Sequence, residues 1–324
     1  MDYEPPFLET YKTLLSVHHG DTRNDDDEIS MVEERCDIPL IDVGRLDDEE
    51  CKKQIIEAAK TWGFFQIVNH GIPQNILHSL MFEEMIDLFH RPFAVKSQEK
   101  FNNFLSASGY KWGNPSATSP NKLSWSESFL LFLSDMDKIH NNSNNLRSRV
   151  EYFGRRAAWL GERLSEILGE EVRMKSSYFR ENCLENTGIF RLNRYPPCPA
   201  PLCSRLFGII PHTDSSFLTF VYQDQVGGLQ LLKDSHWLPL KPNPQALVVN
   251  IGDLFQAASN GVYKSVKHRV VCAEKEERKF TFREYKEQTH KDVKETGDKV
   301  GLPRFLISRN FHHHHLTTHQ QQSI

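Results

Sequence analysis

From residue 187 to residue 272 the chain is cut into short apolar or alternating segments, each bounded by Pro, Gly or Asn, and this rhythm constrains the fold more than any other feature. The segments run over 188–195, 216–222, 228–233, 236–240, 246–251 and 265–272. Short strands separated by turn residues at this spacing predict an all-β barrel or a double-sheet jelly roll. The first half reads differently. A short strand is expected over 38–42 and another over 64–68, with helices over 50–62 and 74–89. Residues 146–168 carry the clearest helical period, with Val150, Phe153, Ala157, Leu160, Leu164 and Ile167 at steps of three and four. The class is therefore mainly β with flanking helices.

Bulk properties narrow the function. At 324 residues the chain is long enough for one large barrel with attached helices. It is 39% hydrophobic and 25% charged, and the net charge of -4 without a long basic stripe argues against general nucleic-acid binding. No run approaches the roughly 18 apolar residues of a membrane span. The acidic, proline-bearing start does not read as a secretory signal. Cys36, Cys51, Cys183, Cys198, Cys203 and Cys272 form no Cys-x-x-Cys pair, which points to reduced thiols in a cytoplasmic or nuclear setting and away from structural zinc. The organisation expected is a mobile lead-in over 1–37, a helix-and-strand region over 38–186, a jelly-roll core with a C-terminal helix over 187–306 and a disordered tail over 307–324. Thr281 and Glu284 fit the capping box of that last helix, and Gly297 its stop. The tail holds His312, His313, His314 and His315, read as unstructured rather than as a metal site.

One constellation carries chemistry. His212 and Asp214 are two residues apart beside the apolar run FLTFVY, so in a strand both would point to one face. His268 follows 54 residues after Asp214, in the strand-like SVKHRVV. Two imidazoles and one carboxylate on one side of an iron leave three positions open. A His-x-Asp triplet by itself is weak evidence. His70, in a turn, and His236 and His290 are read as structural.

The surroundings strengthen the reading. FRLNRYPPCP, GIIPHTDSSFLTFVYQDQVGGLQLL and NIGDLFQAASNGVYKSVKHRVV, with WGFFQIVNHGI near the start, resemble in order the soluble 2-oxoglutarate-dependent dioxygenases of plants. The resemblance covers nearly all of 38–305. It implies a double-stranded β-helix (jelly roll, cupin-like) core, with His212, Asp214 and His268 as ligands of Fe(II). The cosubstrates would be 2-oxoglutarate and dioxygen, with ascorbate as an auxiliary reductant. It also implies that Asn193 and Tyr195 approach 2-oxoglutarate; alternation puts both on one face with Arg191. The far carboxylate of the cosubstrate falls to an Arg ten residues after the last ligand, here Arg278, whose planar fork suits a carboxylate.

After Arg278 the chain departs from the pattern. The Ser expected two residues on is Phe280. A segment of roughly two dozen residues, enough for a core strand and its loop, is missing before KFTFREY. Loss of that strand would expose sheet edges and impair activity, unless residues 278–282 form a shortened strand in its place. The stretches 109–129, 185–199 and 279–306 resemble plant gibberellin 2-oxidases, most of all the clade acting on twenty-carbon gibberellins. This implies a monomeric enzyme that 2β-hydroxylates a diterpenoid acid, with no nucleic-acid or membrane partner. Trp112, Trp125 and Phe255 are candidates for the walls of an apolar substrate site. Other readings are a dioxygenase of flavonoids or of another hormone, a catalytically impaired isoform, and a cupin-type metalloprotein using zinc or manganese.

Overall fold

The computed structural model describes residues 2–17, 36–98, 109–114, 116–133, 144–175, 177–183 and 188–285. Twelve strands are found among them: β1 Leu40–Asp42, β2 Phe64–Val68, β3 Tyr110–Trp112, β4 Glu127–Phe132, β5 Ile189–Tyr195, β6 Phe207–His212, β7 Leu218–Gln223, β8 Leu229–Lys233, β9 His236–Pro239, β10 Leu247–Ile251, β11 His268–Val271 and β12 Arg278–Tyr285. One sheet has the order β1-β2-β10-β7-β12-β5-β4-β3 and the other β6-β11-β8-β9. The sheets share one buried cluster. Phe64, Tyr195, Val221, Val248 and Phe280 come from the first, and Leu229, Leu231 and Val270 from the second. Two sheets closed over a common apolar layer are the expected jelly roll.

Three helices matter for the site: α1 Phe7–Thr10, α2 Glu49–Thr61 and α3 Asn144–Glu171. α2 ends where Gly63 takes φ +63, a left-handed turn that glycine adopts at little cost. β2 follows at once. α3 is longer than its periodic core, and the six residues that carried its period are all buried. Its Phe153 meets Phe190 of β5 with ring centroids 5.3 Å apart, and an added Cβ on its Gly161 would run into the Tyr285 ring of β12. α3 thus backs the large sheet. Residues 74–89 are helical with one wider turn over Leu80–Glu84.

The structure differs from the sequence reading in three places. Residues 281–285 are not the start of a helix but the last five residues of β12. β12 lies between β5 and β7 and pairs with both, Phe280 opposite Asn193 on one side and Gln223 on the other. The slot explains the outcome. Two flanking strands would otherwise carry unpaired backbone, and filling it satisfies donors and acceptors along both edges of an eight-residue strand. That outweighs one capping box, since strand propensity follows context. No gap is left in the sheet. The remainder of the expected helix, Gly297 and the His-rich tail lie outside the described residues.

The second difference is at the N-terminus, where the lead-in is anchored over its first part. Phe7 and Tyr11 are buried with Leu123, Trp125, Cys198 and Cys203. Residues 18–35 lie outside the described set. The third is that His212 closes β6, a strand the sequence reading lacked, so Asp214 sits in the β6–β7 loop rather than in a strand.

Candidate metal centre

His212 and His268 meet because β6 and β11 are antiparallel neighbours and these two residues are register partners. Their rings lie 4.3 Å apart. Each ring is oriented by its Nδ1, 2.9 Å from the Ile210 carbonyl for His212 and 3.1 Å from the Val266 carbonyl for His268. An Nδ1–H donated to a carbonyl leaves the Nε2 lone pair free for a metal. Both Nε2 atoms face the Asp214 carboxylate, at 3.5 and 3.7 Å from Oδ1. The loop that carries Asp214 is pinned by its own carbonyl, which accepts from Asp253 N–H at 2.7 Å. Asn250 of β10 donates from Nδ2 to Asp214 Oδ2 at 2.9 Å. The three ligand atoms lie within 4.8 Å of one another, and no other such group of metal-binding side chains is found among the described residues.

The electrostatics suit a cation. Burial pushes His212 down to about 4, helped by the neighbouring His268, so its imidazole is neutral near pH 7. Burial alone would raise Asp214, but His268, His212 and the bonds from Thr219 and Asn250 outweigh it and hold the carboxyl below its ordinary range. Two imidazoles and one carboxylate, all on one side, fit a divalent iron with open positions.

The remaining residues singled out in the sequence fall in two groups. Tyr195 and Asn193 share the inner face of β5, where Asn193 Nδ2 donates to Tyr195 Oη at 3.0 Å. Arg278 opens β12 directly across from Tyr195, rests against Gly228 at φ +107 and donates to the Val271 carbonyl. On this face the Oδ1 of Asn193 and the Nε of Arg191 are buried without a partner among the described residues. Such unspent hydrogen-bonding capacity fits a polar cosubstrate. Phe280 stands where a Ser was expected and packs on Tyr195, ring centroids 5.1 Å apart. Trp112 and Trp125 both pack against Phe7 of α1, and Phe255 is fully buried beside Phe179, Phe217 and Tyr263. His70 is buried after β2, its Nδ1 accepting from Ile72 N–H at 3.1 Å. Asn250 carries no signal of this role beyond being an Asn in an apolar run.

Residues 186–283 match the 2OG-Fe(II) oxygenase superfamily, and residues 38–148 match the family described as non-haem dioxygenase in morphine synthesis N-terminal. This chain belongs to the 2OG-Fe(II) oxygenase superfamily. The oxygenase is similar to gibberellin 2-beta-dioxygenase 8 of Arabidopsis thaliana, 45% identical over 343 aligned positions that take in 94% of this chain and 98% of the relative. Those positions outnumber the 324 residues of this chain, so the relative carries segments that this one lacks. Gibberellin 2-beta-dioxygenase 5 of Oryza sativa subsp. japonica is 38% identical, over 93% and 96% of the two chains. Among solved structures, JOX2 in complex with 2OG, Fe and JA superposes with a TM-score of 0.68 at 30% identity, over 86% of this chain and 83% of that one. The oxygenase is a 2-oxoglutarate-dependent dioxygenase, and its cofactors are Fe(II) and 2-oxoglutarate. Its substrate is a small molecule. Among the described residues no helix is long and apolar enough to cross a membrane.

Proposed function

We propose that this oxygenase 2β-hydroxylates gibberellins, most of all twenty-carbon ones, and so inactivates a diterpenoid growth hormone or its precursors. The observation that carries the reading is the convergence of His212, Asp214 and His268 in a chain alignable almost end to end with gibberellin 2-beta-dioxygenases. His212, Asp214 and His268 would hold the iron. Asn193, Tyr195 and Arg278 would receive 2-oxoglutarate. Iron and 2-oxoglutarate together supply the oxidising power for an unactivated C–H bond. The protein's part is to orient and to exclude water. The Nδ1 contacts fix both imidazoles, Asn250 fixes the carboxylate, and the buried layer beneath the site keeps solvent out of the barrel. We read the enzyme as a cytoplasmic monomer; its six free cysteines suit a reducing compartment.

The test is to incubate the purified chain with Fe(II), 2-oxoglutarate and a panel of twenty- and nineteen-carbon gibberellins, and to measure succinate and hydroxylated product together. Succinate formation coupled to a flavonoid and to no gibberellin would overturn the assignment. A second reading is a catalytically impaired isoform. It is favoured by Phe280 in place of the expected Ser and by the segments the relative carries that this chain lacks. Under that reading Fe(II) binds and succinate stays at background.

A further inference from the structure

Each fully buried arginine of this fold donates at least one side-chain hydrogen bond. Arg194, 1% exposed in its side chain, meets Glu4, Glu127 and Glu277. Arg269 stacks between Trp237 and Phe207 and donates to Gln230 Oε1 at 2.7 Å. Arg278 donates to the Val271 carbonyl. Arg283 donates to the Glu284 carbonyl. Arg191 differs in making no side-chain hydrogen bond or ion pair among the described residues. It lies half-buried in β5, no carboxylate of the described residues pairs with it, and its Nε is buried without a hydrogen-bond partner. A guanidinium taken partly out of water without a counter-charge is costly, and such a group keeps its place where a ligand completes it.

Its position says what kind of ligand. Arg191 shares a face with Asn193, whose Oδ1 is also without a partner, and with Tyr195. Strand register places it near the metal ligands: its β12 partner Phe282 also faces Val221 of β7, two residues on from Thr219, whose own partner on β10 is Asn250, the donor to Asp214. Its register partner on β12 is Phe282, half-buried and packed against the core cluster between the sheets. One fork-shaped cation beside one apolar ring, next to the metal ligands, is the complement of an organic acid with a hydrocarbon body. A divalent ion held by two imidazoles and one carboxylate would leave a positive centre, to which Arg191 adds a further charge, so an anion is favoured over a neutral ligand.

We propose that Arg191 is the carboxylate receptor of this site, taking a carboxylate of an organic acid whose hydrocarbon lies on Phe282. Two acids have this chemistry, the keto-diacid cosubstrate and a diterpenoid acid substrate. The inference rests on the proposed function for the second of these only. In the first case it reassigns to β5 a task that the sequence pattern gives to Arg278.

The test uses the full-length chain, as wild type and as Arg191→Ala and Arg191→Lys, in three titrations. The first adds 2-oxoglutarate to anaerobic Fe(II)-loaded protein and follows the metal-to-ligand charge-transfer absorption. The second adds a gibberellin acid, and separately its methyl ester, to the same complex and follows tryptophan fluorescence. The third adds succinate to metal-free protein in a calorimeter. Arg191→Ala is expected to weaken at least one acid by about tenfold or more, as loss of a charge-assisted bond does, with Fe(II) affinity unchanged. Arg191→Lys should recover part of it. A weakened charge-transfer titration names the cosubstrate as the acid. A weakened gibberellin acid, with the ester already weak on the wild type, names the substrate. Equal binding of all three acids to wild type and Arg191→Ala overturns the inference, as does a loss of Fe(II) affinity equal to the loss of acid. If Arg191→Ala does not fold, Arg191→Gln decides, because it keeps a donor without the charge. Succinate binding that depends on Arg191, in a chain that oxidises no gibberellin, would keep this inference and remove the proposed function.

Discussion

Asn250 decides how rigidly Asp214 is presented. Its Nδ2 donates to Asp214 Oδ2 from β10, a strand on the other sheet from His212 and His268. Partners of this kind set the orientation and basicity of a ligand, and their removal costs about 10–100-fold in metal affinity. Asn250→Ala should therefore lower Fe(II) affinity by about that factor at unchanged far-ultraviolet dichroism, as measured by anaerobic iron titration. An unchanged affinity would show that Asp214 is held by its loop alone. His70 acts on stability instead. Burial holds its imidazole below the ordinary value of 6.5. The unfolded chain then takes up this proton at a higher pH than the folded one, so the contribution of His70 is complete above about pH 6.5 and declines as the pH falls toward the lowered value. The melting temperature should drop between pH 7 and pH 5, and His70→Gln should flatten that slope. Parallel slopes for the two proteins would exclude His70 as the source.

β12 shows how an element is chosen by its surroundings. Its own residues are ambiguous, for KFTFREY holds both an alternation of period two and a capping pair. The open slot between β5 and β7 decides between them. Phe280 then carries the strand's packing, fully buried against Tyr195 and 6.0 Å from Phe282 between ring centroids. Phe280→Ala should cost about 3–5 kcal/mol, as loss of a buried phenylalanine does, read from the urea midpoint at constant slope. A cost below about 1 kcal/mol would mean that β12 is marginal in solution and that the slot is open part of the time. The longer strands and α2 and α3 were legible because their apolar periods run over several turns or pairs. β3, β4 and β6 were not. β3 is short, β4 is an apolar run between polar loops, and β6 contains Gly208 and Pro211, which read as a break.

Across the molecule one buried cation ties distant parts of the chain together. Arg194 of β5 binds Glu4 from the N-terminal segment, Glu127 from β4 and Glu277 from the turn before β12. Lys96 reaches the same Glu127 at 2.6 Å. The N-terminal segment is also held by ring contacts, Tyr3 stacked on His90 at 4.3 Å and Phe7 on Trp125 at 4.4 Å. Glu4→Ala removes a two-pronged partner from an arginine that remains buried, which should cost about 1–3 kcal/mol. Tryptophan emission should shift to the red as α1 loosens from Trp112 and Trp125. An unshifted emission with unchanged stability would show that Glu127 and Glu277 suffice.

By itself the sequence determined the chemistry of the centre and the class of the fold. Two histidines and an aspartate are a donor set that suits few metals, and turn residues at short intervals admit few architectures but a barrel or sandwich. The positions of His212, Asp214 and His268 along the chain carried that information because ligand type is a property of single residues. Tertiary structure decided the rest, wherever the deciding partner was far away in sequence. It set Asp214 in a loop and gave it Asn250. It made a strand of residues 281–285, turned Trp112 and Trp125 toward α1, and left Arg191 beside the centre with its charge unmatched. Each of these is a question of which group meets which across the two sheets, and local propensity does not contain that answer.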